Sequence, residues 1–488
     1  MIKHTLMAAA VAAALAAPAT ASAVTDAEMM ELRAQVQQMK QEYEQRIRAL
    51  EQRLQQAEGA AQQAQGAAVK AEGVATTAAD VATKAQAQAV QAESAAVQAN
   101  IRPTSEAAFN PAVSVILNGV YANLSQDPER FRITGFVPTL GEVSPGNRGF
   151  SLGESELAFA ANVDHYFRGT LIASIAPDDS IGVEEATIQS LGLSNGFTLK
   201  AGRFFSSIGY QNEVHAHAWD FTDAPLANKV FLGGQFADDG VQIKWVAPTD
   251  TYFELGAEFG RGRAFPGSNR DKNGVGANNL FARAGGDLGA STAWRVGLSH
   301  LSTTAQNRNY DDLDSTGTQV NNSFDGRSRL WALDGILKWA PNGNATYNNF
   351  KLQGEYFRRS ENGNLTYDTA AASLGTQAGA LTTVQSGWYA QGVYQFVPMW
   401  RVGYRYDRLD SGTVKLGLVE SGALSVADFP IYARNNATRN TLMLDFSPSE
   451  FSRMRLQFAS DKSRLGVTDN QVFLQYIVSL GAHGAHKF

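Results

Sequence analysis

The sequence predicts a membrane all-β protein, a sixteen-stranded antiparallel transmembrane β-barrel preceded by an α-helical coiled coil. Three observations support this prediction. Segments in which apolar and polar side chains alternate recur from about residue 112 onward, and a period of two is that of a β-strand. The connections between these segments alternate between short and long, and charged residues fall on one face of the strands.

The first 23 residues predict an export signal. Lys3 supplies a positive start, residues 6–17 are apolar, and Ala21-Ser22-Ala23 is a small-residue cleavage motif. We therefore expect residues 1–23 to be removed and the mature chain to lie outside the cytoplasm.

Residues 24–58 are predicted to form a coiled coil, followed by a spacer at 59–111. Apolar residues on either side of Tyr43 recur at spacings of three and four: Met29, Leu32, Val36, Met39, Ile47, Leu50, Leu54 and Ala57. The spacer is rich in Ala and Gln and has few large side chains, so both a weak continuation of the helix and a flexible linker fit it.

Residues 112–488 are predicted to form the barrel. The alternating segments that we expect to be strands cover approximately 112–124, 149–163, 165–175, 182–193, 196–206, 238–247, 250–260, 277–287, 291–302, 326–340, 347–359, 385–397, 399–410, 438–447, 451–461 and 469–480. This even number places both ends of the barrel on the periplasmic side, so the coiled coil is expected in the periplasm.

The connections between these strands favour a transmembrane barrel over a sandwich. Tight turns such as 193–195 and 397–398 alternate with longer segments at 125–148, 207–237, 303–325, 360–384 and 411–437. Bacterial outer-membrane barrels have short periplasmic turns and long outer loops. In a β-sandwich, nothing would make short and long connections alternate in this regular way.

The two faces of the strands predict a wet interior. Trp331 and Leu333 share one face, whereas Asp334 and Lys338 lie on the other. Charges on the inner face exclude a dry core, and sixteen strands enclose enough space for an aqueous channel. The formal net charge of −6 gives no reason to expect nucleic-acid binding.

The last strand has the same alternation. Leu474, Tyr476 and Leu480 alternate with Gln475 and Ser479, and the sequence ends in Phe488. This ending resembles the final strand of a Gram-negative outer-membrane barrel, in which a C-terminal Phe is part of the signal for the barrel assembly machinery. We expect this strand to close onto residues 113–121.

The order of signal peptide, coiled coil, linker and sixteen-stranded barrel resembles the trimeric DcaP-like porins and the wider group that contains the phosphate-selective porins. The resemblance implies a homotrimer among lipid and lipopolysaccharide in the outer membrane. It also implies passive diffusion of small hydrophilic solutes, with anions among the candidates. The stretch 202–245, with its "NEVHAHAWDF" and "GGQFADDGVQIKW", is also similar to plugless receptor-like barrels of uncertain substrate.

The third outer loop, residues 207–237, is the candidate pore constriction, because the third loop of general porins folds inward. Its polar candidates are Glu213, His215, His217, Asp220 and Asp223. The alternative is a solvated outer loop. Basic residues of lumen parity would line the facing wall and create a transverse field: Lys200, Lys244, Lys338, Arg401, Arg405, Arg453 and Arg455.

Other functions rest on fewer residues. His215 and His217 are candidate zinc ligands, which suggests an alternative role in metal binding or uptake. A structural role, with the coiled coil as a stalk for assembly or cell-wall spacing, is a further alternative. Neither an enzyme nor a cofactor is expected. Ser299 and His300 are adjacent in sequence, but neighbours on a strand face opposite ways and cannot act together.

Overall fold

The computed structural model describes residues 111–139, 143–268 and 271–481, together with separate helical positions between 31 and 59. The chain divides into two compact units, Met1–Ala108 and Phe109–Phe488. In the first unit the described positions are helical and exposed. The predicted signal peptide, the apolar seam of the coiled coil and nearly all of the spacer lie outside the described residues, so they stay predictions. No helix in the described ranges is both long enough and apolar enough to span a membrane.

The second unit is one antiparallel sheet that closes on itself. Its strand segments in the described ranges are β1 Ala112–Leu124, β2 Gly149–Leu152, β3 Ser155–Asn162, β4 Phe167–Ile175, β5 Ile181–Ser190, β6 Phe197–Phe205, β7 Ala237–Val246, β8 Tyr252–Gly260, β9 Ala277–Leu288, β10 Thr292–Leu313, β11 Gln319–Trp339, β12 Asn349–Tyr367, β13 Gln377–Val397, β14 Trp400–Leu416, β15 Thr438–Ser449, β16 Ser452–Asp461 and β17 Asp469–Gly481. Two short α-helices, α1 Leu226–Leu232 and α2 Gly417–Glu420, lie in loops. Single 3₁₀ turns occupy Pro128–Arg130, Gln211–Glu213, Ala216–Ala218, Pro341–Gly343, Val426–Asp428 and Pro430–Tyr432.

These seventeen segments make sixteen barrel strands, because β2 and β3 are two halves of one strand. Both pair with β1, β2 with its C-terminal half and β3 with its N-terminal half. The interruption falls at Gly153, whose N–H donates to the carbonyl oxygen of Asn118 at 2.8 Å. A Cβ at Gly153 would lie 2.4 Å from the Asn118 side chain, so a larger residue here would have to displace that amide. The sixteen-stranded antiparallel barrel predicted from the sequence is confirmed.

The barrel closes between β17 and β1. The antiparallel register runs from Ser114 opposite Gly481 to Leu124 opposite Gln471, as the alternation of the last strand predicted. Closure pairs both edges of the sheet and leaves no free edge for aggregation. Residues 482–488, including Phe488, lie outside the described residues.

The polarity of the barrel is inverted relative to a water-soluble core. On β17, Leu474 and Tyr476 face outward with about half of their surface exposed, whereas Gln475 between them faces inward and is 2% exposed. The largest fully buried side chains of the described residues include four arginines: Arg359, Arg405, Arg439 and Arg455. Arginine is almost never fully buried unless it is paired, so charged groups with partners line this interior beside apolar clusters around Phe231 and Phe324.

Five consecutive strands extend well beyond the length that a membrane needs. Strands β10 to β14 are 17 to 22 residues long, whereas about ten residues cross the hydrocarbon layer. The predicted long loops 303–325 and 360–384 are therefore mostly strand, with connections at 314–318 and 368–376. The alternation rule missed these extensions because polar residues pair there, as where Asn321 donates to Asp311 at 2.7 Å.

Candidate functional site

The third outer loop, between β6 and β7, folds into the barrel. Its ends are tied together by Asn212, whose amide donates to the carbonyl oxygens of Ser206 and Phe236 at 2.8 and 2.9 Å. The first turn is anchored to the wall by Glu258 of β8, which accepts from the N–H of Ser207 at 2.8 Å. These bonds direct the chain toward the lumen instead of toward the outer solution.

Helix α1 packs this loop against the opposite wall. Every residue of Leu226–Leu232 is buried, and the helix ends at Gly233 in the left-handed conformation with φ 68°. The N–H of Leu226 donates to the Asp407 carboxylate of β14 at 2.8 Å. Phe231 packs against Phe357 of β12, with ring centroids 5.9 Å apart. The loop is therefore held by apolar packing as well as by polar anchors.

Asp223 is the centre of the polar contact between loop and wall. Its carboxylate pairs with Arg405 at 3.0 Å, with Lys229 of α1 at 3.0 Å, and with Arg439. Burial alone would raise the pKa of Asp223, but the charges of Arg439, Lys229 and Arg405 hold it well below its usual value. The carboxylate is thus charged at neutral pH and connects the loop to β14 and β15.

Asp220 makes a second contact of the same kind. It pairs with Lys351 of β12 and with Arg401 of β14, the latter at 3.2 Å. These cations lower the pKa of Asp220 against the effect of burial. The sequence predicted that acidic loop residues and basic wall residues face each other across a pore. In the structure the two groups are in direct contact.

Three of the predicted basic residues, Arg401, Arg453 and Arg455, lie together on the C-terminal strands. Arg453 and Arg455 donate to the carbonyl oxygen of Trp219 in the loop, at 3.2 and 2.7 Å. Arg455 also contacts Asp445 at 2.8 Å, a carboxylate that it shares with Arg401. Lys200 and Lys244 lie apart from this cluster, Lys200 on the ring of Phe204 and Lys244 at 3.5 Å from Glu254. Lys338 of β11 is the cross-strand neighbour of Lys351, which pairs with Asp220.

Glu213 contacts a different part of the wall, at β9. Arg283 holds it at 2.5 Å and also binds Glu254 at 3.2 Å. A cavity of about 470 Å³ lies beside these groups, with Tyr210 and Arg295 also in its lining. Sequence reasoning missed Arg283, although it has lumen parity on its strand and the same rule that found Arg405 would have found it.

His215 and His217 lie in a group of carboxylates at β3 and β5. The imidazole of His215 is 3.3 Å from Glu184, 3.4 Å from Glu185 and 3.5 Å from Glu156, and His217 is 2.7 Å from Glu156. Burial would lower the pKa of His215, but its bonds to Glu184 and Glu185 and the charge of Glu156 raise it well above the usual value.

A bulge in β5 makes this histidine group possible. Ile172 of β4 lies opposite Glu185 and Ala173 opposite Val183, so Glu184 is the extra residue of the strand. A bulge breaks the alternation of faces, which allows the consecutive carboxylates of Glu184 and Glu185 to reach the same imidazole. No residue pattern in the sequence predicts this irregularity.

A protein of Aquifex aeolicus (strain VF5), described as an uncharacterized protein, is 30% identical to this chain over 415 residues. The match covers 80% of this chain and 82% of the relative. The chain belongs to the same family as this Aquifex protein. No family model matches the chain.

Solved structures of outer-membrane proteins are similar at low identity. In-vitro folded OmpT of Vibrio cholerae is 11% identical, with a TM-score of 0.46 over 76% of this chain and 97% of that chain. The anion-selective porin from Comamonas acidovorans is 12% identical, with a TM-score of 0.44 over 76% and 99%. The outer-membrane channel DcaP of Acinetobacter baumannii is 11% identical, with a TM-score of 0.44 over 76% and 96%.

Proposed function

We propose that this chain forms a channel in a Gram-negative outer membrane through which small hydrophilic solutes diffuse passively. The observation that carries the proposal is the inverted barrel: side chains such as Leu333 face outward, and Asp334 and Arg405 face inward. An apolar outer face matches lipid and lipopolysaccharide, and a charged inner face needs water or ion partners.

The third outer loop would set the size limit of this channel. It is anchored to β8 through Glu258 and to β14 and β15 through Asp223, so it crosses the lumen between two parts of the wall. We propose that Glu213, Asp220 and Asp223, together with the histidines of the loop, form the constriction.

The charge selectivity of the channel depends on how far carboxylates offset the basic residues of its wall. Arg401, Arg405 and Arg455 each contact a carboxylate, so most of their charge is offset locally. Anions remain candidate solutes, and we expect the preference for them to be small in reversal-potential measurements across a salt gradient.

Reconstitution of the purified protein in planar lipid bilayers tests the proposal directly. We expect stepwise ohmic conductance, and a protein that inserts and gives no steps would refute a channel. Because the chain has no cysteine, single cysteines can be placed in it cleanly. The variant Gln189→Cys lies beside the polar cavity, whereas Ile188→Cys is its matched neighbour on the outward face.

A charged thiol reagent should lower the conductance of Gln189→Cys and leave that of Ile188→Cys unchanged. The physical reason is that successive strand residues face opposite sides of the sheet. Equal effects on both variants would contradict a lumen bounded by this face of β5.

A further inference from the structure

We propose that Glu156, Glu184 and His215 form a binding site for a divalent transition-metal ion, which fastens the third outer loop to the barrel wall. The three residues come from β3, β5 and the loop, and one ligand atom of each lies within 4.8 Å of the others. The proposal goes beyond passive diffusion and does not depend on it.

The spacing of the donor atoms around His215 fits a metal site. Nδ1 of His215 lies 3.3 Å from Oε2 of Glu184 and 3.5 Å from Oε2 of Glu156. An ion about 2.1 Å from each atom in tetrahedral geometry separates its ligands by about 3.4 Å.

The other nitrogen of the imidazole already has an orienting partner. Nε2 of His215 lies 3.4 Å from Oε2 of Glu185, so a proton on Nε2 leaves the lone pair of Nδ1 free for the ion. Metal-binding histidines usually donate their second ring N–H to a carboxylate in this way. Glu185 is therefore a positioning residue.

His217 has a supporting place and is not one of the three ligands. Its Nδ1 lies 2.7 Å from Oε1 of Glu156, the oxygen that does not face His215. This bond fixes the Glu156 carboxylate while its Oε2 points at the ion. The structure thus replaces the predicted His215 and His217 pair with one imidazole and two wall carboxylates, a mixed N and O donor set that suits Zn²⁺.

Two carboxylates also favour a divalent ion on charge grounds. The described ion-pair partners of Glu156 are His215 and His217, and that of Glu184 is His215. Binding of Zn²⁺ would release any proton on Nδ1 and place two positive charges between the carboxylates. The ion would hold the first half of the loop to β3 and β5, as Asp223 holds its second half to β14 and β15.

Calorimetric titration of the full folded chain in detergent with ZnCl₂, after treatment with a chelator, tests the site. We expect one ion per chain and a loss of affinity of at least about tenfold in Glu184→Gln and His215→Ala. Glu185→Gln should weaken binding less than either, because it acts through the imidazole. The heat-dependent electrophoretic mobility of each variant checks that the barrel is folded.

His300→Ala is the matched control, because His300 stacks on Trp331 away from this site. A double replacement of His483 and His486 should also leave zinc affinity unchanged. The proposal is overturned if no saturable binding occurs, if Glu184→Gln and His215→Ala bind zinc like the unmodified protein, or if binding is lost with the C-terminal histidines. None of these outcomes depends on conductance, so failure of the channel proposal is a separate result.

Discussion

Single buried carboxylates, each shared by several cations, connect the loop of this protein to its barrel. Asp223 forms ion pairs with Arg405, Arg439 and Lys229, and the two arginines are almost completely buried. Asp220 joins the loop to Lys351 and Arg401 in the same manner. A buried charge without its partner is costly. These few ion pairs therefore contribute strongly to holding the loop against the wall.

Replacement of Asp223 by Asn should destabilise the protein markedly. The amide keeps the shape of the side chain but removes the charge that offsets Arg405 and Arg439, which breaks a buried pair and costs about 3–5 kcal/mol. Urea unfolding in lipid vesicles, followed by tryptophan fluorescence, measures the change. The control Asp250→Asn alters an exposed acidic residue in a short turn and should leave the unfolding midpoint unchanged.

At the scale of one element, α1 determines whether the loop stays on the wall. Phe231 is fully buried between Phe357 and Phe136, with centroid distances of 5.9 and 5.8 Å, and the guanidinium of Arg359 lies 5.3 Å from its ring. Phe→Ala changes in such packing cost about 3–5 kcal/mol. The helix is only seven residues long, so it has little intrinsic stability of its own.

Phe231→Ala should therefore release the loop and enlarge the channel. Single-channel recordings are expected to show a higher or more variable conductance than the unmodified protein. Phe150→Ala is the matched control, because Phe150 is 88% exposed and lies far from α1 in sequence. A conductance identical to that of the unmodified protein, with the barrel folded, would mean that the loop does not limit flow.

Strand β11 provides a test of whether lipid or water surrounds the barrel. Leu333 is exposed on the outer face between Trp331 and Trp339. Leu333→Arg should lower the free energy of unfolding in a bilayer by at most about 2–4 kcal/mol, because arginine on the lipid-facing side of a strand is costly. Leu465→Arg, at an equally exposed leucine of an outer loop, should have almost no effect. Similar small effects at both positions would argue against lipid contact.

At the scale of the whole molecule, the barrel closes through its own strands. The sheet runs unbroken from β1 through β17 and back to β1, so its ladder needs no strand from outside 112–481. The residues before it belong to a separate compact unit, Met1–Ala108. Folding of the barrel and assembly through the predicted coiled coil can therefore be separated experimentally.

Deletion of residues 24–100 should leave a barrel that folds and conducts, because strand pairing is complete without them. Heat-dependent mobility and bilayer conductance measure folding and function, and light scattering in detergent measures the oligomer. If the coiled coil directs assembly, the shortened protein is a monomer. A shortened protein that remains trimeric would show that the barrel itself specifies assembly.

The prediction of strands from the sequence succeeded where the alternation of apolar and polar side chains matches the two faces of the barrel wall. Strand β17 follows a period of two, apart from the inward-facing Phe473 and Ile477, and its closure onto β1 follows from that pattern. Prediction of the strand ends failed for β10 to β14, because the outward face of their extensions is mostly polar, whereas Val320, Phe324 and Leu365 pack on the inward face.

The candidate site was predictable in composition and not in contacts. The loop residues Glu213, Asp220 and Asp223 were recognised by charge, but their partners Arg283, Lys351 and Arg439 come from strands far away in the chain. The carboxylates around His215 depend on a bulge in β5 that has no sequence signal. These contacts can be predicted only if the depth to which the loop enters the barrel is known.

By itself, the sequence determined the class of this protein, since the alternation of side chains along a strand decides which face meets lipid and which meets the lumen. It also determined the number of strands, since turns and loops interrupt that alternation. Only the tertiary structure decided how the third loop lies and which charges it neutralises. The physical reason is that strand faces are set by neighbours in sequence, whereas a loop inside a barrel is positioned by buried ion pairs and packing between residues hundreds of positions apart.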